Sequence, residues 1–266
     1  MVFKTTVFIK SNYPTIINLE NTDIAYNYFK LLKPDDVIEL SDKETQYKII
    51  QVNTDNTLQV INSFKDIRIK IFHNENKKGL TNNFENAIQK ASGDIIFLSD
   101  QDDVWKNDKV KKILSAFSSD NSLTLVFSNA EIIDENGVSK NYRFFKDNKA
   151  NDTSLLKTFF KNQFLGCTIA FKSELKLKIL PFPTKIPMHD WWIGVLSLFY
   201  GKVVFLNEDL ISYRRHQNNV TSEFRSNFIS VINWRIILFW LFLKRLIKIM
   251  ILNKKTILIS TFKKHI

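Results

Sequence analysis

The sequence predicts an α/β fold, a mostly parallel central sheet flanked by helices, with a C-terminal amphipathic helical tail. Three observations carry that prediction. Short apolar runs alternate with amphipathic segments up to about Asn219, the pattern of strands joined by helices. The run DIIFLSD at 94–100 is apolar along most of its length, as a central strand covered on both faces must be. After Glu223 the chain has no acidic residue, and bulky aliphatics are interleaved with Arg and Lys, so the last segment differs in kind from what precedes it.

Taken in order, TTVFIKS (5–11) is the first strand, 24–32 a helix and DDVIEL (35–40) the second strand. DNTLQVINSF (55–64) follows as a helix with Thr54 or Asp55 near its N-terminus, and RIKIFHN (68–74) as the third strand. GLTNNFENAIQKAS (79–92) places Leu80, Phe84, Ala87 and Ile88 on one helical face, with Gly93 as the stop signal. DIIFLSD is the fourth strand. SLTLVFSNAEIID (122–134) and CTIAFKS (167–173) are strands, KTFFKNQF (157–164) is a short helix, and HDWWIGVLSLFYG (189–201) is a helix closed by Gly201. KVVFLNEDLISYRRH (202–216) is a strand running into a polar turn.

The expected division is a domain over 1–222 and a tail over 223–266. Within the tail, Arg235, Lys244, Arg245 and Lys248 interrupt the apolar run 228–252, which argues against a spanning helix. Lys244, Arg245 and Lys248 fall within about 100° of one another at helical pitch. With Trp234, Phe239 and Trp240 alongside, the composition is that of a helix lying in a membrane interface; a helix packed on the domain with a solvated basic face is the alternative.

With 266 residues, 44% of them hydrophobic, the chain can bury an ordinary core. A single cysteine, Cys167, excludes an internal disulfide and a thiolate metal cluster and fits a reducing compartment. The opening MVFKTTVFIKSNYP lacks the apolar stretch and cleavage site of a signal peptide, so export is not expected. A formal net charge of +11 calls for an anionic partner: nucleic acid, a membrane surface or a phosphorylated substrate. Because the tail's charges sit among aliphatics rather than base-reading polar groups, nucleic acid is the weakest of the three.

The chemistry-bearing stretch is FLSDQDDVW (97–105). Three carboxylates, Asp100, Asp102 and Asp103, crowd the end of an apolar strand, a costly arrangement without a neutralising charge or solvent. The carboxyl end of a strand is where open α/β sheets bind ligands. Carboxylates one residue apart can share a divalent cation, and hard oxygen ligands suit Mg²⁺ or Mn²⁺. A solvated acidic loop is the plainer alternative, or a cap by Asp102 or Asp103 for the helix that follows.

ASGDIIFLSDQDDVW resembles the metal-binding segment of family 2 glycosyltransferases of the GT-A (Rossmann-like) fold, particularly the bacterial rhamnosyltransferase-like group that builds O-antigens and capsules. HDWWIGVLSLFYGKVVFLNEDLISYRRHQNNV and, more loosely, FLGCTIAF resemble the same group. The resemblance covers roughly residues 1–220 and is weak before about Thr54. It implies that Asp100 and Asp102 hold the metal and the donor's ribose and diphosphate, with Asp103, Asn83 and Asp42 also on the nucleotide sugar. Asp190 would be the general base of an inverting transfer, which needs one carboxylate to take the acceptor's proton; a helix N-cap is its plainer role. Arg214 and Arg215 could meet diphosphate oxygens, and His216 could be a third metal ligand. Gly166 and Cys167 resemble the acceptor-side loop, with Cys167 a small buried residue. Trp191 and Trp192 could border the acceptor or pack in the core.

The resemblance breaks upstream. Where the family carries an Asp-Asp-Gly-Ser-like stretch to grip the base, this chain has VIELSDKETQYKIIQVNTDNTL. One alignment puts Asp42 at the base-binding position, and another puts Ile50 and Gln51 there. The expectation is a membrane-associated enzyme, peripheral on the cytoplasmic face of the cell membrane, moving a sugar from a nucleotide donor to a lipid-linked saccharide; a degenerate, non-catalytic scaffold is the alternative.

Overall fold

The computed structural model describes residues 5–10, 14–17, 79–100, 103–146, 153–215 and 227–263. The helices expected at 24–32 and 55–64 and the strands at 35–40 and 68–74 lie outside these residues.

The described strands form one sheet. β1 (Thr5–Lys10) pairs antiparallel with β2 (Pro14–Ile17) and parallel with β3 (Ile95–Asp100). β3 is followed by β4 (Val104–Trp105), β5 (Leu123–Ile133), β6 (Ser139–Arg143), β7 (Ile169–Lys172) and β8 (Lys202–Arg214). The sheet order is β2-β1-β3-β7-β5-β8-β4, with β6 paired to β5. Among the described strands, β1 with β3 and β5 with β8 are parallel and the other pairings antiparallel, so this part of the sheet is mixed. β2, β4 and β6 were not anticipated: each is short, with too few residues for an alternating pattern to register.

Six helices flank the sheet among the described residues: α1 (Leu80–Lys90), α2 (Lys109–Ser119), α3 (Leu155–Phe160), α4 (Lys176–Ile179), α5 (His189–Tyr200) and α6 (Phe228–Lys263). Successive strand residues face opposite ways. In β3, Ile95 and Phe97 join Val110, Ile113 and Phe117 of α2, whereas Ile96 and Leu98 join Phe84 and Ile88 of α1 and Trp192 and Leu196 of α5. This is why the run 95–98 is apolar throughout: both faces are covered.

Helix boundaries depart from the expected stop and start signals in instructive ways. α1 ends with Ala91 as its C-cap, two residues before Gly93. α2 begins with Asp108 at the cap position and no side-chain cap, so Asp103 does not cap it; Asp108 instead pairs with Lys112 at 2.5 Å. α3 starts before Lys157 because Ser154 accepts a hydrogen bond from the Lys157 amide. α5 has Met188 at its cap position and Asp190 inside its first turn.

The first half of α6 packs on the domain through Leu238 and Phe242. The Phe159 ring of α3 stands edge-on to Phe239 and Phe242, with centroids 5.6 and 5.2 Å away. Arg245, buried, donates to the carbonyls of Lys178 (2.9 Å), Leu180 (2.6 Å) and Pro181. Its guanidinium lies 5.4 Å from the Trp192 ring centroid. A cation delocalised over a planar fork suits this combination of stacking and multiple donation.

Arg245→Met is expected to leave those carbonyls without their donor and to lower stability by about 1–3 kcal/mol, read as a reduced urea midpoint of the full chain.

Candidate functional site

Three chain segments converge at the carboxyl end of β3. The first is the acidic loop. Asp100 ends the strand half-buried, and Asp103 is buried. Asp103 Oδ1 accepts a hydrogen bond from the Arg214 backbone N–H at 2.9 Å. β4 then pairs with β8, with Val104 opposite Ser212 and Trp105 opposite Ile211. The loop is thereby stitched to the end of β8.

The second segment is the 3₁₀ turn Gly166–Thr168, which precedes β7. Ligand atoms of Asp100, Asp103 and Cys167 all lie within 4.8 Å of one another. Burial pushes the Cys167 thiol well above its usual range, and Asp103 and Asp100 push it the same way. A thiol shifted in this direction is not an activated nucleophile. Its backbone carbonyl accepts a 2.9 Å hydrogen bond from Lys109 Nζ, which sits 3.8 Å from the Trp105 ring centroid. Lys109 is fully buried, and that burial lowers its pKa to about 7 against the raising influence of Cys167, Asp103 and Asp100.

The third segment is the N-terminus of α5. The His189 ring stacks on Phe84 of α1, centroids 3.9 Å apart and planes 13° apart. Asp190 is 5% exposed. Its Oδ1 accepts from the Trp191 amide at 2.7 Å, and Asn162 supplies a side-chain hydrogen bond. Burial nevertheless raises its pKa to about 6, and the charge of Asp100 adds to the rise. That coupling places Asp190 electrostatically within reach of the acidic loop, although 89 intervening positions make such proximity invisible in the sequence. Gly166 fits between the two segments: a Cβ there would stand 2.9 Å from His189 Nε2 and 3.7 Å from Asp190 Cβ.

The structure thus brings together Asp100, Asp103, Gly166, Cys167 and Asp190. The remaining expected site residues are placed differently. Trp191 and Trp192 are buried and donate through their indole N–H groups to the carbonyls of Thr158 and Ile179. They are core residues rather than open stacking faces, a correction to the acceptor-border reading. Arg214 Nη1 donates to the carbonyls of Asp134 (3.1 Å) and Glu135 (2.8 Å), which orients its guanidinium toward that turn. Arg215 lies 5.9 Å from the Tyr213 ring centroid. Asn83 is buried in α1. Asp42, Asp102 and His216 lie outside the described residues.

The donor chemistry fits a divalent cation only in part. The Asp100 carboxylate, half-buried at a strand end, is a hard oxygen ligand of the kind Mg²⁺ and Mn²⁺ prefer. Asp103 is close but already holds the Arg214 amide, and the Cys167 sulfur is a soft ligand that these hard cations do not favour. Sequence reasoning missed Lys109, Asn162 and the Phe84–His189 stack. A lysine ordinarily signals solvent, and nothing in KNDKVKK marks which of its lysines turns inward.

Residues 36–174 match the family described as Glycosyl transferase family 2. The chain is 28% identical over 172 residues to an Escherichia coli protein named UDP-Glc:alpha-D-GlcNAc-diphosphoundecaprenol beta-1,3-glucosyltransferase WfgD, covering 64% of this chain and 65% of that one. It is 28% identical over 186 residues to the dTDP-rhamnosyl transferase RfbG of Shigella flexneri, covering 63% and 61%. The matches therefore span less than two thirds of these relatives' length. Among solved structures, residues 1–349 of S. aureus TarS in complex with UDP-GlcNAc superpose with a TM-score of 0.53 at 16% identity, covering 70% of this chain and 54% of that one. That likeness establishes the fold.

Gly166→Ala is expected to force the clamped His189 ring aside and to cost about 1–3 kcal/mol, read as a lowered denaturation midpoint. Asp190→Asn is expected to do the opposite at neutral pH. Between its usual value of 3.8 and about 6, the folded protein binds a proton that the unfolded chain has released. Stability therefore falls as pH rises through that window, by up to about 3 kcal/mol. Urea midpoints of wild type and Asp190→Asn should coincide near pH 4 and diverge, with the variant higher, above pH 6.

Proposed function

The chain belongs to glycosyl transferase family 2, and from that premise we propose that it is an inverting, metal-dependent glycosyltransferase. It moves a sugar from a nucleotide-sugar donor to a lipid-linked or polysaccharide acceptor in the assembly of cell-surface polysaccharide, such as O-antigen or capsule. The observation that carries the reading is Asp190, buried at the start of α5 with a pKa of about 6 and coupled to Asp100. A carboxylate tuned toward neutrality can accept the proton of an attacking hydroxyl better than an ordinary one. The donor reading is supported by the nucleotide sugars in the names of WfgD and RfbG, and rhamnose is one candidate sugar. The diphosphoundecaprenol in the WfgD name supports a lipid-linked acceptor.

In this mechanism Asp190 receives the acceptor proton while the hydroxyl oxygen attacks the anomeric carbon from the face opposite the leaving group, so configuration inverts. Asn162 and the Trp191 amide hold the carboxylate in one orientation. Gly166 leaves room for Asp190 and His189 beside the turn. Asp100, with Asp102 two positions on in the sequence, would hold Mg²⁺ or Mn²⁺. Such a cation stabilises the charge of a departing nucleoside diphosphate. Lys109, beneath the loop, holds the Cys167 carbonyl and so keeps the acidic loop and the turn in fixed relation. The enzyme would work peripherally at an anionic membrane surface on the cytoplasmic face, where lipid-linked acceptors are presented.

Turnover with a panel of nucleotide sugars, Mn²⁺ and a lipid-linked acceptor tests this. Asp190→Asn should lower kcat by about 10²-fold or more while metal-dependent nucleotide binding, followed by calorimetry, stays intact. In the wild type, kcat/KM should rise with pH through about 6 as Asp190 ionises. Full activity in Asp190→Asn overturns the base assignment. No metal-dependent nucleotide binding by the wild type overturns the enzyme reading in favour of a non-catalytic scaffold.

A further inference from the structure

α6 is docked by one face and bare on the other. Leu238, Phe242 and Arg245 are buried. Ile229, Ile236, Trp240, Ile247 and Ile251 are all exposed, each between 51% and 65%. Their spacing of seven, four, seven and four residues keeps them within an arc of about 60° at 100° per residue, directly opposite the buried face. This is an apolar line running along the outside of the helix, on the side that contributes nothing to the core. Lys244 and Lys248 flank it and, with Ile247, Ile251 and Leu252, line a shallow groove.

α3 widens the face. Its Leu156 and Phe160 are 74% and 65% exposed, while Phe159 between them packs against Phe239 and Phe242 of α6. Two helices in contact thus present exposed aliphatic and aromatic side chains, a larger apolar surface than scattered residues on a soluble monomer would make.

We propose that the outward face of α6, extended by Leu156 and Phe160 of α3, is a docking surface for an anionic lipid bilayer. Charge decides the occupant. From Arg225 onward the chain carries nine Lys and Arg residues and no Asp or Glu. A second copy seated on this face would set two such tails against each other, whereas an anionic leaflet complements them. Apolar side chains enter the headgroup region while Lys244 and Lys248 extend their ammonium groups to lipid phosphates. Among the described residues no helix is long and apolar enough to cross a membrane, which fits lying on the surface rather than spanning it.

α3 also links this face to the first turn of α5. The Thr158 carbonyl of α3 accepts the Trp191 indole N–H, and Asn162, two residues beyond α3, bonds Asp190. The docking helix α3 and the hydrogen bonds that hold Asp190 are therefore contiguous in the structure. The role of Asp190 rests on the proposed transfer reaction; the docking itself does not.

Cosedimentation of the full chain with phosphatidylcholine vesicles, with and without phosphatidylglycerol, tests the surface in the absence of any sugar donor. Binding to the phosphatidylglycerol vesicles and its loss at high salt are expected. Trp240→Glu with Ile247→Glu should abolish binding, and Lys244→Gln with Lys248→Gln should weaken it about tenfold or more. Both double variants should keep the wild-type circular dichroism and nucleotide affinity. Undiminished binding by Trp240→Glu with Ile247→Glu, or no binding by the wild type, overturns the proposal. So does a lipid-free dimer in sedimentation equilibrium that the same two substitutions dissociate, which would make the occupant a second copy. Vesicle binding without turnover would overturn the catalytic reading alone.

Discussion

A single buried ammonium joins the two loops on which the site depends. Lys109 lies under the acidic loop, over the face of Trp105, and its Nζ holds the carbonyl of Cys167 in the 3₁₀ turn. Lys109 and Cys167 are 58 residues apart in the chain, so this hydrogen bond ties together segments that are distant in sequence. Burial lowers the Lys109 pKa to about 7, and the hydrogen bond, the aromatic face and the nearby carboxylates offset part of the cost of burying its amine. Gly166 lets the first turn of α5 approach this turn, close enough for Asp190 to feel the charge of Asp100.

The same logic explains why Asp190 is both a weak point and a useful one. Its position gives it two hydrogen bonds, yet burial and Asp100 hold its pKa near 6. A group so placed destabilises the ionised fold, and a carboxylate perturbed in this way is what the proposed base role requires. His189 next to it is locked on Phe84, so the first turn of α5 cannot relax the carboxylate outward.

The long C-terminal helix combines a packed face with an exposed apolar one, features that the sequence offered as alternatives. One face of α6 is part of the domain, through Leu238, Phe242 and the carbonyls gathered by Arg245. The opposite face remains apolar and exposed. Packing and an interfacial surface are therefore compatible on one helix, because α6 is apolar on nearly all sides and only one side meets the core.

Much of the architecture was legible because it rests on local pattern. An apolar run such as 95–98 reads as a strand covered on both faces, and Phe84 with Ile88 reads as a helical stripe. The crowding of acids after that strand pointed to the candidate site, where Asp100 and Asp103 do lie close to Cys167. What sequence could not decide was which polar residues turn inward. Lys109, Asn162 and the stacked His189 owe their positions to segments far away in the chain, and Trp191 and Trp192 became core because Thr158 and Ile179 offered carbonyls to their indoles. Burial of a polar group depends on a partner delivered by the fold, so only the tertiary structure could assign it; the apolar periodicities belong to the chain itself.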